Sequence, residues 1–388
     1  MNILFTTYHP LGYGGAEISM LHLARELIKK GHNVTIVSTE PYPELQTLLF
    51  KKVKKHPYFL QEHYLKNFFI KIIKQEKIDI IHSHDRITAV PAIKAAKKMG
   101  IKSVTHYRDY WFACPKSTCL TKRLEVCNGC ETKCILGCSL TVKRIPLDWY
   151  KMFHLKQIHS VLEQADAKIA NSTIVKEKLE KNGIKTNIHI AHPFRSNFKI
   201  TLTKKEEQIL KTTYNLQKKI ITYAGNLEPN KGIHLLIPVV KEFQEEFDFL
   251  IIGDGSLKNY LQQHMPATFT GKLTHAETLN LFSISDAILL PSLWEEPFSG
   301  IILESAALGK PLIATTRGGI LDLPSDRYLG ISNPFDKEEW KQQIIKLKQP
   351  KELLQLTKNM KKTLQEHQPE KITKHIEEIY TSLKNTSP

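Results

Sequence analysis

The chain lacks any run of the roughly 20 consecutive apolar residues that a membrane-spanning helix needs. It also lacks a secretory leader: Met1–Thr7 enters an apolar run directly, with no cationic stretch and no small-residue cleavage site. A cytoplasmic protein is therefore expected, with the inner face of the membrane as a further station. No Gly-x-x-x-x-Gly-Lys-Ser/Thr sequence occurs, which excludes a P-loop. A dinucleotide fingerprint fails as well: Gly12, Gly14 and Gly15 follow the first apolar run, but the third required glycine position holds Glu17. There is no Asp-x-Asp pair, the common clamp for a divalent ion on a leaving diphosphate. Cysteine is absent outside residues 114–138.

What is present is ordinary globular material, 41% apolar and 24% charged, so disorder is not expected. The length of 388 residues suits two domains better than one core. The net charge of +16 fits a polyanionic neighbour such as anionic lipid or phosphorylated substrates, or simply a lysine-rich composition spread along the chain. No nucleic-acid partner is expected.

The first half alternates strand and helix signals. Asn2–Thr7, Val34–Ser38, Ile78–Ser83, Ile101–His106, Ala167–Ala170 and Asn187–Ala191 read as short buried strands. Met20, Leu23, Ala24 and Leu27 recur at helical spacing before Gly31, and a second helix runs from Ile87 to Met99 before Gly100. The second half repeats the pattern with strands at Lys219–Ala224, Phe249–Ile252, Ala287–Leu290 and Pro311–Thr315. Such alternation builds parallel, doubly wound α/β sheets. The polar, lysine-rich stretch 196–218 marks a boundary, giving an N-terminal domain 1–195, a C-terminal domain 196–365 and a last helix, 366–388, packing back on the first domain. Two such halves are expected to leave a ligand cleft between the carboxyl edges of their sheets. Residues 51–74 mix lysines with Phe59, Tyr64, Phe68 and Phe69. That mixture suits an anionic membrane surface, and an ordinary surface helix with its apolar face turned inward gives the same pattern.

Chemistry concentrates at Glu296-Pro-Phe-Ser-Gly-Ile-Ile-Leu-Glu304, a loop after a strand that turns into a helix near Ser299. The free N–H groups at that helix start suit a phosphate. A carboxylate beside it can accept bonds from sugar hydroxyls, and a second one further along can hold a ribose diol.

Pro291-Ser292, Glu296-Pro-Phe, Glu304-Ser-Ala-Ala-Leu-Gly-Lys-Pro-Leu-Ile-Ala-Thr and Gly318-Gly319 together resemble the C-terminal signature of the group 1 glycosyltransferases, glycosyltransferase family 4. Tyr223-Ala-Gly-Asn226 through Lys231-Gly232 is similar to the family's donor-phosphate strand and loop. Ile252-Gly253-Asp254-Gly255 and Phe269-Thr270-Gly271 are similar to its next strand ends, and Gly14-Gly15-Ala16-Glu17 to its N-terminal loop. The likeness spans nearly the whole chain and is stronger in the C-terminal half.

The resemblance implies a GT-B fold, two Rossmann-like doubly wound domains facing across a cleft. It also implies a retaining transferase of hexosyltransferase type that moves a sugar from a nucleotide-sugar donor without a metal. The acceptor would be a glycan, lipid-linked or other hydroxyl compound, as in cell-surface polysaccharide or glycolipid synthesis. Lys231 would clamp the donor diphosphate, Glu304 the ribose, and Glu296 the hydroxyls of the transferred sugar. Backbone amides near Ser299, Gly300 and Ile301 would cradle the distal phosphate, while Gly14, Gly15 and Gly253 would line the donor. Asn226 stands where the family usually has arginine, Ser299 where it often has glycine, and Arg108 where it often has histidine. Arg108 is therefore expected to meet the donor sugar, with His106 second and His84 near the acceptor.

The cysteines Cys127, Cys130, Cys134 and Cys138, with Cys114 and Cys119 upstream, lie in an insert at about 112–140. In a reducing compartment such spacing points to structural zinc, or an iron–sulfur cluster, or else to packed thiols. No cofactor is expected for transfer itself. Two rival activities share the scaffold: a nucleotide-sugar epimerase and a non-catalytic sugar-nucleotide-binding subunit.

Overall fold

The computed structural model describes residues 1–10, 15–42, 45–51, 58–127, 129–130, 138, 145–195, 200 and 202–385. The chain divides into two compact units. The first comprises Met1–Lys122, Val126–Ser196 and His367–Pro388, and the second comprises Arg123–Glu125 and Asn197–Glu366.

The first unit is built on seven parallel strands: β1 (Asn2–Thr6), β2 (Asn33–Ser38), β3 (Thr47–Leu49), β4 (Ile80–Ser83), β5 (Lys102–Tyr107), β6 (Ala167–Ala170) and β7 (Ile188–Ile190), in the order β3-β2-β1-β4-β5-β6-β7. Ile3, Leu4 and Phe5 are all fully buried. A strand covered on both faces reads as a continuous apolar run, as this one does. The helices of the unit are α1 (Gly15–Lys29), α2 (Tyr58–Gln75), α3 (Arg86–Met99), α4 (Ile145–Glu163), α5 (Thr173–Lys181) and, at the chain end, a helix over Pro369–Asn385. α3 shows how locally the chain dictates its ends. Asp85 accepts bonds from the amides of Ile87 and Thr88 at 2.7 and 3.0 Å, and Gly100 closes the helix at φ 69°.

The second unit holds six parallel strands: β8 (Lys219–Ala224), β9 (Phe247–Ile252), β10 (Thr268–Gly271), β11 (Ala287–Leu290), β12 (Leu312–Thr315) and β13 (Leu329–Ile331), ordered β10-β9-β8-β11-β12-β13. Its helices are α6 (Lys204–Thr213), α7 (Ile237–Phe243), α8 (Lys258–His264), α9 (His275–Ile284), α10 (Gly300–Leu308), α11 (Lys337–Lys346) and α12 (Pro350–Glu366). The terminal helix Pro369–Asn385 is α13.

Strand order reverses direction at β1/β4 in the first sheet and at β8/β11 in the second. In open α/β sheets ligands bind at such switch points, outside the carboxyl ends of the strands. The chain segments leaving those four strands are the ones that carry the candidate residues.

The short strands β3 and β13 and the helix α4 go beyond the sequence reading. Each of the two strands has three residues and lies at a sheet edge, too short to show a period. α2 does turn Leu65, Phe69, Ile72 and Ile73 inward, as a surface helix should. Among the described residues no helix is long and apolar enough to cross a membrane.

Candidate active site

In the second unit, β8 and β11 are hydrogen-bonded neighbours, so the loops after them emerge side by side. The first carries Lys231 and the second Glu296. The Lys231 Nζ lies 2.7 Å from the Glu296 Oε1 and 5.2 Å from the centre of the Trp294 ring. Ser292 also donates its hydroxyl to Glu296, and the Leu293 amide donates to the Asn230 carbonyl at 2.9 Å, tying one loop to the other. Burial alone would raise the Glu296 carboxyl. The Lys231 charge and hydrogen bonds from Lys231, Ser292 and Ser299 outweigh it and hold Glu296 below the usual carboxylate range. It is therefore an anion kept in place before any ligand arrives.

Three glycine contacts explain why these loops approach so closely. A Cβ on Gly232 would fall 1.9 Å from the Pro291 carbonyl oxygen, and one on Gly253 would fall 1.9 Å from that of Gly225. Both residues have positive φ, 74° and 140°. Gly319 donates its amide to the Glu296 carbonyl at 2.7 Å, and its Cβ would strike the Pro297 oxygen at 2.0 Å. The Gly318-Gly319 pair thus lets the loop after β12 close over the Glu296 backbone.

α10 begins at Gly300 with Ser299 as its N-cap, whose side chain makes no capping bond. Its first amides, including those of Gly300 and Ile301, have no acceptor within their own helix. Glu304 sits one turn on, buried, with Oε1 3.0 Å from the His275 Nε2 of α9. Asn226 is exposed at the end of β8, where its carbonyl accepts the Tyr223 hydroxyl at 2.9 Å. The structure thus gathers Lys231, Ser292, Glu296 and Ser299, with Glu304 further along the same helix. His275 and Trp294 are additions that no motif in the sequence marks.

In the first unit, β4 and β5 lie side by side and deliver His82, His84, His106 and Arg108 to one buried cluster. Arg108 donates from Nη1 to the Ser19 hydroxyl of α1 at 2.7 Å; its Nη2 lies 3.2 Å from the His106 Nδ1 and 3.4 Å from the His84 Nδ1. Burial, and then the neighbouring Arg108 charge, push His106 and His82 well below their ordinary value; for His84 the His82 ring comes between these two causes. Neutral rings can accept from Arg108. The His106 Nδ1 is then an acceptor, so its Nε2 carries the proton and donates to the Asn171 Oδ1 at 2.9 Å. Burial lowers Arg108 itself to about 9, and Glu17 counteracts. Burial raises Glu17 to about 7.

Arg108, the residue expected to meet a sugar, is thus 8% exposed and faces its own unit's side chains. Glu17, Ser19, Asn171 and Tyr380 belong to the same cluster and were not singled out by sequence; only the Gly-Gly-Ala-Glu motif hinted at Glu17. Gly15 opens α1, and Gly14 lies outside the described residues.

The cysteines take a different arrangement from the expected four-thiolate shell. Among the described residues Cys127, Cys130 and Cys138 do not converge as a ligand set, and Cys134 lies outside the described residues. Instead Cys119 hydrogen-bonds to both Cys114 and Cys127, which commits the Cys127 thiol upstream. That bond, against burial, holds Cys114 down to about 6. No disulfide joins the described cysteines.

Two parallel doubly wound units, the second carrying a lysine, a buried carboxylate and a helix start at its switch point, define a GT-B glycosyltransferase. The Glycosyltransferase Family 4 model matches residues 13–194 and the Glycosyl transferases group 1 model matches residues 204–366. The chain belongs to this family of group 1 glycosyltransferases. It is similar to an uncharacterised glycosyltransferase of Methanocaldococcus jannaschii, 24% identical over 352 residues that cover 84% of this chain and 82% of that protein. An uncharacterised 42.6 kDa protein in a Klebsiella pneumoniae cps region is 26% identical, covering 83% of this chain and 87% of that one. Among solved structures, HepE of Anabaena in complex with UDP has the same fold, with a TM-score of 0.75 at 17% identity, covering 98% of this chain and 100% of that one.

Proposed function

We propose that this glycosyltransferase is a retaining, metal-independent hexosyltransferase that uses a nucleotide-sugar donor and a glycan or lipid-linked hydroxyl acceptor at the inner face of the membrane. The observation that carries this reading is the 2.7 Å Lys231–Glu296 pair at the β8/β11 switch point, beside the start of α10. Lys231 is a flexible cation, and the α10 amides point outward from a positive dipole end. Together they can take the charge of a departing nucleoside diphosphate. Glu296, kept ionised, accepts bonds from the sugar hydroxyls while Glu304 takes the ribose diol. Positive charge grows at the anomeric carbon as the diphosphate leaves. The acceptor hydroxyl then attacks from the same face, and the leaving phosphate takes its proton, so no strong protein base is required.

Support for the donor class comes from the UDP complex of HepE, and for a surface-glycan setting from the Klebsiella relative's cps region. Arg108, His106 and His84 act on the acceptor side of this reading, with Arg108 fixing the histidines from within. Screening UDP-, GDP-, ADP- and dTDP-sugars for nucleoside diphosphate release, in the presence of a chelator, identifies the donor. Anomeric NMR of the first transfer product then tests the stereochemistry. A retained linkage and chelator-insensitive turnover are expected; an inverted linkage overturns retention, and binding without any turnover overturns the enzyme.

A further inference from the structure

The N-terminal ends of α2 and α4 expose apolar and aromatic side chains that neither helix needs for its own packing. α2 already buries Leu65, Phe69, Ile72 and Ile73, and α4 buries Met152, Leu155, Ile158 and Leu162. Left outside are Phe59 at 66% exposure, Leu60 at 55%, Leu147 at 40%, Trp149 at 50% and Phe153 at 54%. The two ends are joined. The Tyr58 ring stacks on Tyr150 at 5.5 Å and on His154 at 4.1 Å, and both helices pack on α3. They therefore present one surface of the first unit rather than two scattered spots.

We propose that this paired helix end is a docking surface for an anionic lipid bilayer. Large aromatics are the side chains that settle at the boundary between headgroups and acyl chains. The charge agrees. The sequence leading into α2, residues 51–57, carries Lys51, Lys52, Lys54 and Lys55, and that leading into α4, residues 139–144, carries Lys143 and Arg144; neither stretch contains an acid. Cations flanking an apolar tip attract a negatively charged leaflet and repel a second copy of a chain whose net charge is +16. The proposal deepens, and rests on, the reading of a membrane-side acceptor. Its test needs no sugar transfer, so the two can fail separately.

Trp149 provides the readout. Of the four tryptophans, Trp111 and Trp340 are 3% and 1% exposed, Trp294 is only partly exposed, and Trp149 is half exposed. Vesicles of phosphatidylglycerol and phosphatidylcholine are expected to sediment the full chain and shift its tryptophan emission to the blue. W149F should lose the shift. A Leu147→Ser, Trp149→Ser, Phe153→Ser variant should sediment about tenfold less with an unchanged far-ultraviolet dichroism spectrum, and high salt or pure phosphatidylcholine should weaken wild-type binding by a similar factor. The proposal is overturned if the wild type ignores anionic vesicles or if the triple variant binds them equally. A dimer in light scattering that the triple variant dissolves also overturns it, because the occupant is then a second copy.

Discussion

Glu296 and Glu17 are both buried carboxyls, and their neighbours drive them in opposite directions. Glu296 has Lys231 at 2.7 Å and stays ionised. Glu17 has an unpartnered Oε2, and burial takes it from 4.5 to about 7 despite its own backbone hydrogen bond and the Arg108 charge. For Lys231→Ala we expect a loss in kcat/KM of about 100- to 1,000-fold, because the cation that meets the developing diphosphate charge is gone. The same change leaves Glu296 buried without its counter-ion, so its carboxyl should rise, visible as an altered acid limb of the pH–rate profile. An unchanged rate would remove Lys231 from the donor site. Glu17 has a different signature. Its folded value lies above its unfolded one, so its contribution to stability is complete below pH 4.5 and is lost as pH rises through about 7. Glu17→Gln fixes the neutral form. Between pH 5 and pH 8 the wild type should therefore lose on the order of 2 kcal/mol relative to the variant, measured by urea unfolding at each pH. Parallel stability curves for the two proteins would show that Glu17 ionises normally.

Elements were legible from sequence where a local signal and the tertiary context agree. The buried strands β1, β5, β8 and β11 read correctly because both their faces are covered, leaving uninterrupted apolar runs. α3 read correctly because Asp85 and Gly100 cap it chemically. β3 and β13 did not, since a three-residue edge strand owes its existence to its neighbour's hydrogen bonds. The donor-side residues Lys231, Glu296 and Glu304 stood out through their motif. The cluster around Arg108 was only half visible, since Ser19, Asn171 and Tyr380 come from three distant segments that meet only in the fold. The glycines on the donor loops belong to this scale too. At Gly253, an added methyl meets the Gly225 carbonyl oxygen at 1.9 Å, backbone that has no rotamer to change, at a φ of 140°. Gly253→Ala should destabilise the protein by about 2 kcal/mol or more and weaken nucleoside diphosphate binding with it. Thermal unfolding with and without UDP checks both; a variant as stable as the wild type would mean that β8 and β9 can move apart at their ends.

At the scale of the molecule, the chain starts in the first unit, builds the second over Asn197–Glu366, and ends by returning to the first as α13. This return is structural. Ile376, Ile379, Tyr380 and Leu383 join the core formed by Ile3, Phe5, Met20, Leu23 and Leu27. The Tyr380 hydroxyl lies 2.6 Å from the His82 Nδ1, and Glu377 pairs with Lys30 at 2.6 Å and His32 at 2.7 Å. Four buried side chains at about 1.5–3 kcal/mol each amount to roughly 6–12 kcal/mol, as much as a domain's whole stability. Ending the chain after Glu366 should therefore unfold the first unit and abolish transfer, yet leave Lys231, Glu296 and α10 in a second unit whose own core is untouched. Nucleoside diphosphate titration by calorimetry should still register binding to the truncated chain, while the near-ultraviolet dichroism of the first unit's aromatics disappears. Tyr380→Phe separates packing from hydrogen bonding: it keeps the buried ring and should cost only about 1 kcal/mol. If the truncated chain keeps both its aromatic dichroism and its activity, α13 merely covers a first unit that folds without it.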